Sequence, residues 1–135
     1  MRLGGPARAL AIANTPEDIV SLVTQAEAEK LPLLVLGAGS NIIVGDDGFE
    51  GLVILNRIPG FEITYEDPAQ TTIKAGAGMV WDELVKKTTE LSLSGIENLS
   101  AIPGYVGGAP IQNIGAYGQE VANPLVELGA FDCQE

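Results

Sequence analysis

Apolar and polar positions follow two periods along this chain, and each change of period marks an element. Ala9 to Ala13 is a short apolar run that reads as a strand. It feeds into Asn14-Thr15-Pro16, a helix entry with Thr15 as N-cap, Pro16 at the first helical position and Asp18 three residues after the cap. Ile19, Val20, Leu22, Val23 and Ala26 then form an apolar stripe, while Glu17, Gln25, Glu27 and Glu29 face water. Leu31-Pro32 closes the helix, and Leu33 to Leu36 is a continuous apolar run short enough for a buried strand. The order so far predicts β-α-β.

Ile42 to Val44, a turn at Asp46-Asp47-Gly48 and Leu52 to Leu55 read as a strand pair, and Asn56 to Gly60 as a further turn. Phe61, Ile63 and Tyr65 alternate with Glu62, Thr64 and Glu66, the pattern of a half-buried strand. Asp67-Pro68-Ala69-Gln70 turns the chain, Thr71 to Ala75 returns as its partner, and Gly76-Ala77-Gly78 ends the hairpin. Met79 to Leu91 predicts a second helix, with Val80, Trp81, Leu84, Val85 and Leu91 on one face and Asp82, Glu83, Lys86, Lys87 and Glu90 on the other. Its early acids and later lysines suit the helix dipole and i,i+4 pairing, and it reads as scaffold. Ser92 to Asn98 is turn-forming, and the apolar run within Val121 to Phe131 can start another strand.

The stretch from Ala101 to Gly118, AIPGYVGGAPIQNIGAYG, fits neither period. Five glycines and two prolines exclude a regular helix or a long strand. Yet Ile102, Val106, Ile111 and Ile114 run through it beside Tyr105 and Tyr117, so it is built to be packed. A packed, glycine-rich segment turns bare backbone towards a phosphate or a flat ring, and the amides of Gln112 and Asn113 can read a heterocycle edge. A set of buried tight turns without a ligand is the plainer alternative. A second glycine loop, Gly37-Ala38-Gly39-Ser40-Asn41, follows a predicted strand. It is not the dinucleotide fingerprint G-x-G-x-x-G, because Ile42 stands in the third glycine's place and Gly45, Gly48 and Gly51 interrupt any following helix. A Rossmann fold is therefore not expected. The loop's N–H groups, with the Ser40 and Asn41 side chains, suit a phosphate in another fold; an unliganded β-turn is again the alternative. Asp46 and Asp47 lack the rest of a calcium loop and read as a turn.

Composition narrows the partners. The formal net charge of −11 argues against nucleic acid and anionic membrane, both of which need a basic footprint. It leaves a phosphate ligand open, since neutral backbone donors can hold one. The absence of histidine removes any Ser-His-Asp reading and the commonest metal ligand, so no metal site is expected. Cys133 is the lone cysteine, which excludes a disulfide framework. Neither a signal peptide nor a membrane-length apolar run is present, and a cytoplasmic location is expected. With 135 residues and 46% apolar content, one domain or two very small ones can form cores.

Four stretches carry a resemblance: LPLLVLGAGSNIIV (31–44), GLVILNRIPGFEI (51–63), IKAGAGMVWDELV (73–85) and GIENLSAIPGYVGGAPIQNIGAYGQEV (95–121). Together with Gly4-Gly5-Pro6-Ala7 they resemble the UDP-N-acetylenolpyruvoylglucosamine reductases, flavoenzymes of peptidoglycan precursor synthesis and hence of cell-wall biogenesis, cell shape and division. The resemblance implies an α+β FAD-binding fold of the vanillyl-alcohol-oxidase type. It implies two small α+β subdomains, 1–66 and 67–135, with the flavin between them and the substrate domain absent. Gly37, Gly39, Ser40 and Asn41, flanked by Leu36 and Ile42, would then hold the pyrophosphate. Pro103, Gly104, Gly107, Gly108, Gln112, Asn113, Gly115, Ala116 and Tyr117 would line the flavin.

The implied reaction passes hydride from NADPH to FAD and then to the enolpyruvyl double bond, forming UDP-N-acetylmuramate. Members of that family are more than twice this length and carry a serine proton donor in a substrate domain, so the chain is expected to be an inactive fragment that needs that domain to bind the UDP-sugar. A non-catalytic nucleotide- or partner-binding module is the second reading. An oxidase with covalent flavin is opposed by the lack of histidine and by Cys133 lying outside both loops.

Overall fold

The computed structural model describes residues 4–132. Strands β1 (Ala7–Ala13), β2 (Leu33–Leu36) and β3 (Phe49–Asn56) form a parallel sheet in the order β1-β3-β2, and helix α1 (Pro16–Ala28) carries the chain from β1 to β2. The predicted capping box starts α1. Asp18 N–H donates to Thr15 Oγ1 at 3.1 Å, and Thr15 N–H returns to Asp18 Oδ2 at 3.0 Å. These bonds hold the Asp18 carboxyl below the ordinary aspartate value, the backbone N–H groups of Asn14 and Thr15 acting most strongly.

The central strand is β3. Leu52, Val53 and Ile54 are buried, and Leu52 and Ile54 pack with Ala13 against Val23 and Ala26 of α1. β2 lies at the edge, with Val35 exposed, and Val20 of α1 is exposed as well. The expected strand pair of 42–44 with 52–55 does not form. Both edges of β3 are already taken by β1 and β2, so 42–44 runs without a partner strand and Ile43 is 88% exposed. β1 begins two residues earlier than expected because the preceding residues dock on the 45–49 turn: Gly5 N–H donates to the Gly45 carbonyl at 2.8 Å and Phe49 N–H to that of Pro6 at 3.0 Å.

The second half is built on an antiparallel hairpin, β4 (Phe61–Glu66) and β5 (Thr71–Ala75). Asp67 ties its turn, accepting from the N–H groups of Ala69 at 2.7 Å and Gln70 at 2.8 Å. Only the Phe61 end of β4 meets a core; Ile63 and Tyr65 are exposed, so the predicted buried face is bare there. That core joins Met79, Trp81, Leu84, Val85, Leu99, Ala109 and Val121. Helix α2 spans Trp81–Glu90. Val80 is its N-cap and Leu91 its C-cap, and both are exposed instead of lying on the apolar face. Thr88 takes the buried place, its hydroxyl donating to the Val85 carbonyl at 2.8 Å. Lys86 and Glu90 form the i,i+4 pair at 3.9 Å.

Residues 101–118 fold as tight turns, with one 3-10 turn before them at Glu97–Leu99, a second at Val106–Gly108, and a two-residue ladder of β6 (Gly115–Ala116) with β7 (Gln119–Glu120). Ile102, Val106 and Ile114 pack on the second core, whereas Ile111 is 85% exposed. No strand forms over 121–131. The expected boundary at 66/67 falls at the turn of the β4–β5 hairpin. No helix among the described residues is long and apolar enough to cross a membrane. Cys133 lies outside them.

Candidate functional site

Because β1, β2 and β3 are parallel, their C-terminal ends lie together, and the loop 37–41 and the link 57–60 leave from that end. Ligands of open parallel sheets bind there. No helix follows 37–41, which accounts for the failed dinucleotide fingerprint. The backbone N–H groups of Ala38, Gly39, Ser40 and Asn41 donate to no protein acceptor among the described residues. Gly39 has φ +67°, a left-handed step that lets successive N–H groups turn towards a common point.

The segment 101–118 is fixed from below by 77–81. Trp81 N–H donates to the Gly104 carbonyl at 3.0 Å, Val106 N–H to Met79 at 2.9 Å and Gly107 N–H to Ala77 at 2.9 Å. Residues 76–78 are in turn held by the 57–60 link, through Gly76 N–H to Gly60 at 3.0 Å and Gly78 N–H to Ile58 at 2.8 Å. Gly107 has no room for a side chain: a Cβ there would lie 2.8 Å from Ala77 Cβ. Gly108 N–H donates to Tyr105 at 3.0 Å, while a Cβ at Gly108 would meet nothing within 4 Å. The freed backbone donors expected of this segment are therefore taken up at Gly107 and Gly108.

Two anchors of this segment carry no motif in the sequence. Asp82, in the first turn of α2, accepts from Ala101 N–H at 2.7 Å and Ser100 Oγ at 2.8 Å, and these bonds depress its pKa. They fix Ala101, a non-glycine residue at φ +62°. Trp81 Nε1 donates to the Leu99 carbonyl at 2.8 Å.

The two loops meet. Asn41 Nδ2 donates to Gln112 Oε1 at 2.8 Å, and Ser40 Oγ to the Pro103 carbonyl at 3.4 Å. Gly37 packs against Tyr105, where a Cβ would stand 3.4 Å from Cδ2. Arg57 completes the junction: its Nη1 donates to Gly37 O at 2.9 Å and Asn56 O at 3.1 Å, and its Cζ lies 4.5 Å from the Tyr105 ring centroid. Leu36 is the half-buried end of β2 and Ile42 is exposed beside the loop.

The far end of the second segment sits differently. Asn113 (φ +43°) uses its side chain within the fold, donating to Glu120 Oε2 at 2.9 Å and accepting from Ala122 N–H at 3.1 Å. Its amide therefore does not stand open to a heterocycle edge. Gly115 and Ala116 form β6, with Ala116 against the second core; Tyr117, at the β6–β7 turn, is 92% exposed. Neither Arg57 nor Asp82 belongs to a glycine motif. The only sequence signal for Arg57 was a lone cation in a turn of an acidic chain, and for Asp82 an acid in a first helical turn.

The sequence pattern of the family described as "FAD binding domain" matches residues 7–132. The chain belongs to that family. It is 42% identical over 131 residues to the UDP-N-acetylenolpyruvoylglucosamine reductase of Streptomyces coelicolor, covering 97% of this chain and 33% of that relative. The reductase of Ralstonia nicotianae is 46% identical over 134 residues, covering 97% of this chain and 39% of that protein. The crystal structure of the reductase from Thermus caldophilus aligns with a TM-score of 0.63 at 34% identity, over 87% of this chain and 40% of that one. The chain thus spans between a third and two fifths of the length of these relatives. The family and the solved structure bear out the α+β FAD-binding fold. FAD is the cofactor the family's description names, and the loop fits its anionic part: four unpaired N–H groups stand next to the half-buried Arg57.

Proposed function

We propose that this chain is the FAD-binding portion of a UDP-N-acetylenolpyruvoylglucosamine reductase, with 37–41 holding the diphosphate and 103–117 shaping the flavin side. The observation that carries the reading is the row of N–H groups at 38–41 without a protein acceptor. In a chain of net charge −11, neutral amides hold an anion without burying lysine. Gly37, Gly39, Ser40 and Asn41 form this cradle between Leu36 and Ile42. Pro103, Gly104, Gln112 and the open side of Gly108 face the cofactor. Gly107, Gly115 and Ala116 form the wall behind, Asn113 fixes the loop's shape, and Tyr117 stands at its rim.

When bound, FAD supplies the hydride chemistry that links NADPH to the enolpyruvyl double bond of the UDP-sugar. This chain's residues bind and orient it. The resemblance assigns proton donation to a serine of a substrate domain, and the role proposed for the residues of this chain is to hold FAD, not to turn it over. A cytoplasmic location fits the UDP-sugar and NADPH proposed as substrates of the whole reductase. Of the two subdomains expected as 1–66 and 67–135, the pairing of β4 with β5 and the packing of Phe61 on the second core support drawing the division earlier, in the 57–60 link.

The purified chain should carry a flavin absorbance band and release FAD on heat denaturation. It should not couple NADPH consumption to UDP-N-acetylmuramate formation. A colourless, folded chain that takes up no added FAD would contradict the binding claim, and measurable turnover would contradict the second.

A further inference from the structure

We propose that Arg57 is a positioning residue that presets the diphosphate loop and so makes the site select a flavin carrying a diphosphate over a bare flavin. The inference rests on the FAD reading above. Arg57 Nη1 holds the Gly37 carbonyl at 2.9 Å. A trans peptide is planar and sets the next N–H opposite that carbonyl, so the bond that fixes Gly37 O also fixes the direction of Ala38 N–H. Ala38 is the first of the four unpaired donors. A flip of that peptide would turn the Gly37 carbonyl oxygen towards the anion in place of the Ala38 N–H, and the Arg57 bond opposes it.

The arginine is itself held from two other sides. Nη1 also donates to Asn56 O at 3.1 Å, and Cζ lies over the Tyr105 ring, 4.5 Å from its centroid. Tyr105 in turn packs against Gly37. One residue of the β3 exit thereby sets the loop after β2 and leans on the second glycine segment. Its Nε and Nη2 donors have no protein acceptor among the described residues, which leaves a fixed, half-buried positive charge beside the amides. Lysine replaces this arrangement only in part: its ammonium can reach the two carbonyls, which here share the one nitrogen Nη1, but it lacks the planar face that lies on Tyr105 and the further Nε and Nη2 donors.

The test compares the wild-type chain with Arg57→Met and Arg57→Lys, titrated with FAD, ADP and riboflavin and followed by amide NMR, which also reads weak binding. Arg57→Met should weaken FAD and ADP by about tenfold or more and leave riboflavin within about twofold. Arg57→Lys should fall between wild type and Arg57→Met. In the ligand-free spectra, Arg57→Met should move the Ala38 amide while the Leu84 and Val85 amides of α2 stay in place. Equal weakening of FAD and riboflavin would reduce Arg57 to a general staple and overturn the inference. FAD binding by Arg57→Met within about twofold of wild type would overturn it too, leaving the FAD reading intact. A wild-type chain that binds neither FAD nor ADP removes both.

Discussion

At the scale of single residues, neighbouring glycines of one motif have different tasks. Gly107 is tied to Ala77 through its N–H and a Cβ there would press on Ala77 Cβ at 2.8 Å. Gly107→Ala should cost about 1–3 kcal/mol in chemical denaturation. Gly108→Ala, which adds a methyl to open space, should stay within about 0.5 kcal/mol of wild type yet weaken FAD binding. Equal stability losses at the two positions would show that Gly108 is packed as tightly as Gly107.

The sequence made both glycines legible as special, because their density excludes regular structure, but not which of them faces a neighbour. That difference depends on Ala77, thirty residues away in the chain. Arg57 was hidden for the same reason. Its partners Gly37 and Tyr105 come from two other segments, and a lone arginine in a turn carries no periodic signal.

At the scale of elements, short-range signals are legible in the sequence. The Thr15–Asp18 capping box is local, with its partners three residues apart, and it forms as predicted. Thr15→Ala should lower stability by about 1 kcal/mol, measured by thermal or urea unfolding. An unchanged midpoint would mean that α1 is held by its packing on β3 alone.

Asp82 joins α2 to the entrance of the second loop, and its depressed pKa gives a sign to test. A carboxyl whose folded pKa lies below its unfolded one contributes stability that is present above the unfolded value and is lost as pH falls through the folded one. Asp82→Asn should therefore be less stable than wild type near neutral pH, and the gap should close below about pH 4. A gap that persists in acid would assign the effect to shape and not to charge.

Elements depart from their local pattern where distant segments compete. Ile42 to Val44 has the composition of a strand, but β3 has only two edges and β1 and β2 fill them. Ile63 and Tyr65 alternate as a half-buried strand should, yet the second core reaches only the Phe61 end of the hairpin.

At the scale of the whole molecule, the two halves meet at the site. The Asn41–Gln112 hydrogen bond spans seventy-one positions of the chain. Asn41→Ala and Gln112→Ala should therefore act non-additively on FAD affinity, with a coupling of about 0.5–1.5 kcal/mol in a double-mutant cycle. Additive effects would mean that the loops bind their parts of the ligand independently. The pairing of two glycine segments was legible only through the resemblance, since neither loop's spacing says what it will touch. The order β1-β3-β2, which brings the loops to one end, was not legible: a crossover that leaves room for a later strand has no local signature.

If 37–41 and 101–118 together form a site for FAD, titration of flavin fluorescence with the purified chain reads it. Saturable quenching at one FAD per chain, with competition by ADP, is the predicted result. A folded chain that leaves the fluorescence of FAD unchanged across the titration would contradict it.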